Sequence, residues 1–95
     1  MPEMFFHLSW PDGTQRRCYS PSLVIKDYFQ PGAAYPLPDF LRRSREAYGI
    51  ASERVRQKYG FGCAHAASEL EALEDLAARF HHQPDAQVRI ERFEE

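Results

Sequence analysis

Residues 3–19, "EMFFHLSWPDGTQRRCY", decide the fold, because they hold two short periodic runs joined by turn chemistry. Met4, Phe6, Leu8 and Trp10 fall on one side of an extended chain and Phe5, His7 and Ser9 on the other, the period of a half-buried strand. Pro11 presets φ at the first central position of a turn, Asp12-Gly13 tolerates positive φ, and "TQRRCY" reads as the return strand. A β-hairpin over residues 3–19 follows.

The next stretch, "YSPSLVIKDYFQPG" (residues 19–32), reads as a short helix with its punctuation. Ser20 is placed to cap it, Pro21 suits its first position, and Leu23, Val24, Ile25, Tyr28 and Phe29 give about two apolar turns before Gln30-Pro31-Gly32 stops it. A second helix should start at Pro38-Asp39 and run to Gly60, with Leu37, Leu41, Ser44, Tyr48, Ala51, Val55 and Tyr59 as its apolar stripe. Arg42, Arg43, Arg45, Arg54, Arg56 and Lys58 make its remaining surface basic. A third helix, from about Cys63 or Ala64 to Phe80, presents Ala66, Leu70, Leu73, Leu76, Ala77 and Phe80 inward and Glu69, Glu71, Glu74 and Asp75 outward. The two long helices should pack antiparallel, an acidic one against a basic one, with charge setting the pairing more than the stability.

"VRIERFE" closes the chain as a strand, alternating Val88, Ile90 and Arg92 against Arg89, Glu91 and Phe93. The expected fold is α+β in the order ββαααβ, one domain over residues 1–95, with a three-stranded antiparallel sheet covered by helices on one face. Its other face, with Phe5, His7 and Arg17, is expected to be open to a partner.

Composition agrees with a folded chain. Ninety-five residues with 43% hydrophobic and 27% charged side chains belong to an ordinary globular domain, one that buries roughly 60–65% of its unfolded surface. A net charge of −2 provides no field that would draw the chain to nucleic acid. The apolar runs are too short to span a membrane, and "MPEMFFHLSW" carries an acid where a signal peptide is basic. Neither nucleic acid nor membrane is expected as a partner, and a cytoplasmic setting is. Cys18 and Cys63 fit no C-x-x-C spacing and read as two thiols rather than a bridge.

Three segments carry a resemblance: "WPDGT" leading to "CYSPS", "YSPSLVIKDYFQPG", and "YPLPDFLRRSREAYGIASERVRQKYGFGC". Together they resemble a small bacterial family, the nitrogen starvation response proteins, over nearly the whole chain. The resemblance implies a place in nitrogen metabolism, beside nitrilase-like hydrolases, a radical S-adenosylmethionine enzyme, an acetyltransferase and a flavoprotein. It implies no activity of its own and supplies no catalytic residues. "FHHQPDAQ" lies outside the likeness, which leaves His81 and His82 without family support.

The residues themselves offer few reactive groups. Cys63, after "YGFG" at the first turn of the third helix, is the best candidate nucleophile, because the helix dipole would favour its thiolate, and His65 would serve it as base or as a fellow metal ligand. Inert packing in a tight corner explains the same cysteine. A zinc site would need Cys18, Cys63, His65 and one of His7, His81 or His82, and no spacing gathers them. Neither a metal nor a cofactor is expected. Lys26, Arg42, Arg45 and Arg56 are the candidate binding residues, for an acidic protein or a phosphate, although a solvated face paired with carboxylates also accounts for the arginines. The leading expectation is therefore a non-enzymatic accessory module that docks on an enzyme of a nitrilase-like cluster, or on itself. The rival is a small thiol- or metal-dependent enzyme or carrier centred on Cys63 and His65. A third reading is a regulator that binds a small nitrogenous metabolite between the short helix and the hairpin.

Overall fold

The computed structural model describes residues 3–62, 64–83 and 85–95. Strands β1 (Met4–Ser9) and β2 (Gln15–Ser20) pair antiparallel, in a register from Met4↔Ser20 to Ser9↔Gln15. The turn closes through Trp10 N–H to the Thr14 carbonyl at 2.8 Å and Gly13 N–H to the Trp10 carbonyl at 2.9 Å. Gly13 takes φ of 89°, where a side chain would be strained. Met4, Phe6, Leu8 and Trp10 are buried, so the alternation read in the sequence sets which face meets the helices.

Beyond β2 the chain departs from expectation. Ser20 still belongs to the strand, and its hydroxyl donates to the Ser22 carbonyl at 2.7 Å instead of capping a helix. The helix α1 is a single turn, Ile25–Tyr28, and Ser22 Oγ accepts the Val24 N–H at its entry. Proline at position 21 sits in that buried bend, so two apolar turns shrink to one.

A third strand, β3 (Ala34–Pro36), was not expected and makes the sheet four-stranded rather than three-stranded. It pairs with the C-terminal strand β4 (Gln87–Glu94) through Ala34↔Arg89, Tyr35↔Val88 and Pro36↔Gln87. The sheet order is β2-β1-β4-β3. Three residues that include proline carry no strand period, and proline is tolerated because β3 lies at an edge. As expected, β4 returns beside β1, but the register shifts between His7 and Leu8 so that Glu91 is the extra residue of a bulge. The bulge moves Phe93 opposite core-facing Phe6 and leaves Arg92 exposed, reversing the straight alternation read for "VRIERFE".

Helix α2 runs Leu37–Tyr59, with Pro38 in its first turn, and ends at Gly60, whose φ of 85° and N–H to the Arg56 carbonyl form a left-handed cap. Its buried residues are Leu37, Phe40, Ser44, Ala47, Tyr48 and Ala51. The stripe thus uses Phe40 where Leu41 was expected and stops at Ala51, leaving Tyr59 54% exposed. Helix α3, Ala64–Ala78, buries Ala66, Glu69, Leu73 and Ala77. Glu69 therefore faces inward, against the expectation that it lies outside. Arg45 Nε reaches Glu74 at 2.9 Å, which joins the basic helix to the acidic one as read.

The core between sheet and helices is a run of rings. Phe6 stacks on Phe29, Phe29 on Phe40, Trp10 meets Phe40 edge-on, and Trp10 stacks on Phe80. The open face of the sheet lies on the far side from these rings. Among the described residues no helix is long and apolar enough to cross a membrane.

Candidate functional site

The uncovered face of the sheet is organised around Glu94. Its carboxylate accepts Arg17 Nη2 at 2.7 Å and Arg17 Nε at 3.1 Å, and His7 Nε2 lies 2.8 Å from its Oε1. These partners sit on three adjacent strands, β2, β1 and β4. The Arg17 guanidinium in turn lies 3.5 Å over the Phe5 ring, which meets Tyr19 edge-on at 5.7 Å. Ser9 donates to Glu91 at 2.8 Å one step along the same face. Arg17 first, then His7, hold the Glu94 carboxyl at a pKa of about 2, below its ordinary 4.5. An arginine stacked on one ring and clamped on a carboxylate has already lost its rotamer freedom, so a partner landing there orders less side chain.

A second cluster locks the β2 edge under α3. Glu69 accepts Arg16 Nη2 at 3.0 Å and the outward Tyr19 N–H at 3.2 Å. The Tyr48 hydroxyl donates to the Tyr19 carbonyl. Helical side chains thus occupy the edge strand's hydrogen-bonding groups at Tyr19, which blunts strand addition at that point. Cys18 sits inside this cluster, fully buried, and burial with the nearby Glu69 charge pushes its thiol up. Burial likewise pushes the Tyr48 hydroxyl up. Neither is poised as a nucleophile.

The residues singled out in the sequence are dispersed. Lys26 pairs with Glu95 at 3.0 Å, Arg42 with Asp39 and Glu46, Arg45 with Glu74, and Arg56 with Glu53. All four are exposed and already hold carboxylates, so the solvated-face reading describes their present contacts. His65 stacks flat on Tyr19, with ring centroids 3.9 Å apart. Cys63 lies outside the described residues. His81 is exposed at the end of α3, with its Nδ1 2.7 Å from the Ala78 carbonyl, and His82 beside it is exposed too. His7 is on the open sheet face and Cys18 in the core, and among the described residues no group of three or more metal-ligating side chains is gathered.

A shallow depression of about 280 Å³ lies between α1, β3 and α2, lined by Lys26, Asp27, Tyr28, Phe29, Gln30, Tyr35 and Arg43. None of these residues belongs to the hairpin, beside which a metabolite pocket was expected. Arg43 inside it is committed to Asp39 and to the Tyr28 carbonyl. Sequence reasoning found Phe5, His7 and Arg17, and its alternation set Glu91 opposite Val88 and Ile90, but it missed Glu94 and Tyr19 as members of their face. The signal for Glu94 was the bulge, and a bulge has no period.

The family model described as "Nitrogen starvation-induced protein NitG" covers residues 5–93. No curated protein and no solved structure matches the chain.

Proposed function

Since the chain belongs to the nitrogen starvation-induced NitG family, we propose that it is a non-enzymatic accessory protein of the starvation response, docking on a protein partner through its uncovered sheet face. The observation that carries this reading is the preassembled cluster of Phe5, Arg17, Tyr19, His7 and Glu94 on a sheet face that the described helices leave open except at Tyr19, where His65 of α3 stacks on the ring. Aromatic rings and arginine are the side chains enriched at interface centres, and here they are held rigid before any partner arrives. The partner proposed is an enzyme acting on nitriles or other nitrogen sources, of the kind that the sequence resemblance implies is encoded in a nitrilase-like cluster. The setting proposed is the bacterial cytoplasm.

Native purification from nitrogen-starved cells tests it. The chain should co-elute with a stoichiometric partner, and the Phe5→Ala/Arg17→Ala double variant should lose that partner while keeping its helical circular dichroism. Recovery of the chain alone, at its own mass of 11.1 kDa, overturns the proposal.

A further inference from the structure

The turn between the two long helices carries a second feature that the sheet face does not use. Tyr59 is 54% exposed and Phe61 70% exposed, and they flank Gly60 at the end of α2. Neither ring is needed for the turn. Among the described residues of the turn, Gly60 supplies the positive φ, and the cap is closed by its N–H on the Arg56 carbonyl at 2.7 Å. Neither ring is needed for the core either, because the last buried residue of α2 is Ala51. Arg54 still reaches back to Ser22 Oγ at 2.9 Å, and at 1.5 Å per residue Tyr59 at the tip stands about 7 Å along the helix beyond that last tie to the body.

The tip is also locally basic in a chain whose net charge is −2. Arg54, Arg56 and Lys58 lie on the last two turns of α2 before the rings, with Glu53 as the one acid of that stretch, and Arg54 Nη1 donates to Ser22 Oγ. Glu53 is taken up by Arg56 at 2.7 Å, whereas Lys58 lies 5.7 Å over the Tyr59 ring. Two exposed rings, with Lys58 beside one of them and a net positive charge on the adjoining helix turns, match an apolar pocket with an acidic rim. An anionic membrane fits less well, because stable peripheral anchoring takes a larger basic cluster or a second hydrophobic signal.

The geometry points to the Tyr59–Phe61 tip as a plug that inserts into an acidic-rimmed apolar pocket on a partner protein. This rests on the interaction reading above and assigns a second, independent contact to the same kind of partner. Such rigid aromatic anchors supply contact area at low entropic cost, and the lysine beside them steers encounter.

Site-specific photo-crosslinking tests the plug. Benzoylphenylalanine is placed in turn at Tyr59, Phe61 and, on the sheet face, Ser9, and the chains are irradiated in nitrogen-starved cells. The tip positions should attach to one protein, at peptides that map to an apolar pocket bordered by aspartate or glutamate. With that protein purified, Phe61→Ala and Tyr59→Ala should each weaken the Kd by about tenfold or more, and Lys58→Glu should weaken it and flatten its salt dependence. All three variants should keep the wild-type melting temperature, because neither ring is in the core. Crosslinks from Ser9 alone overturn the plug and leave the interaction reading standing, whereas crosslinks from no position overturn both. Tip crosslinks only to a second copy of the chain, or Phe61-dependent sedimentation with phosphatidylglycerol–phosphatidylethanolamine vesicles, also overturn the plug.

Discussion

At the scale of single residues, charge and burial make two sharp statements. Glu94 is held at a pKa of about 2 against an ordinary 4.5, so it binds fewer protons folded than unfolded between those values. A depressed carboxylate contributes stability that is fully present above about pH 4.5 and is lost as the pH falls toward 2. Carboxyl chemical shifts followed by NMR should therefore give Glu94 a midpoint near 2, and Arg17→Ala should move it back toward 4.5. A midpoint unchanged by that substitution would mean that the clamp is absent in solution. Cys18 makes the second statement. With no exposed surface and a thiol pushed up by burial and by Glu69, it should resist iodoacetamide in the folded Cys63→Ser variant and react only on denaturation. Rapid native labelling would show that the Arg16–Glu69–Tyr48 enclosure is loose. None of this was legible beforehand, because Glu69 belongs by spacing to the acidic outer face of α3. Its inward turn depends on where the edge of β2 passes the helix, a tertiary fact that helical periodicity does not contain.

At the scale of elements, the hairpin, the two long helices and their charge pairing followed from period and turn chemistry. The rest followed from contacts between distant segments. The strand β3 exists because β4 offers it an edge, and Pro36 would have argued against it on local grounds. The bulge at Glu91 exists because β4 must keep Ile90 and Phe93 both against the core opposite Leu8 and Phe6. Straight alternation and the bulged register disagree on which neighbour is buried, and mutation separates them. Phe93→Ala should cost about 2 kcal/mol, less than the 3–5 kcal/mol of a fully buried phenylalanine because Phe93 is only partly covered, while Arg92→Ala should lie within about 0.5 kcal/mol of wild type. Urea unfolding of the two variants measures this. The opposite ranking would restore the straight strand. Glu69→Ala, which leaves the Arg16 guanidinium and the Tyr19 N–H without their acceptor, should cost about 2–3 kcal/mol in the same assay.

For the whole molecule, one core of stacked rings supports two differently built outer surfaces. Phe40 joins Phe29 and Trp10 in that core, so Phe40→Ala should cost about 3–5 kcal/mol and, at about 4–8 °C per kcal/mol for a chain of this size, should leave the protein near its unfolding limit at growth temperature. The sequence placed the open sheet face correctly, since Phe5, His7 and Arg17 alternate away from the core. It placed the aromatic tip wrongly, reading Tyr59 as the end of the apolar stripe. Spacing continues the stripe past Ala51, and only the length of the helix relative to the sheet beneath it shows that the stripe has run out of core. The two surfaces carry the functional account, and the thiol–imidazole pair of Cys63 and His65 carries its rival. Complementation of a deletion strain under nitrogen limitation sets one against the other directly. The Cys63→Ser chain should restore growth as wild type does, and the Phe5→Ala/Arg17→Ala chain, expressed to the same level, should not. Rescue by the surface variant together with failure of the Cys63→Ser variant would contradict the account.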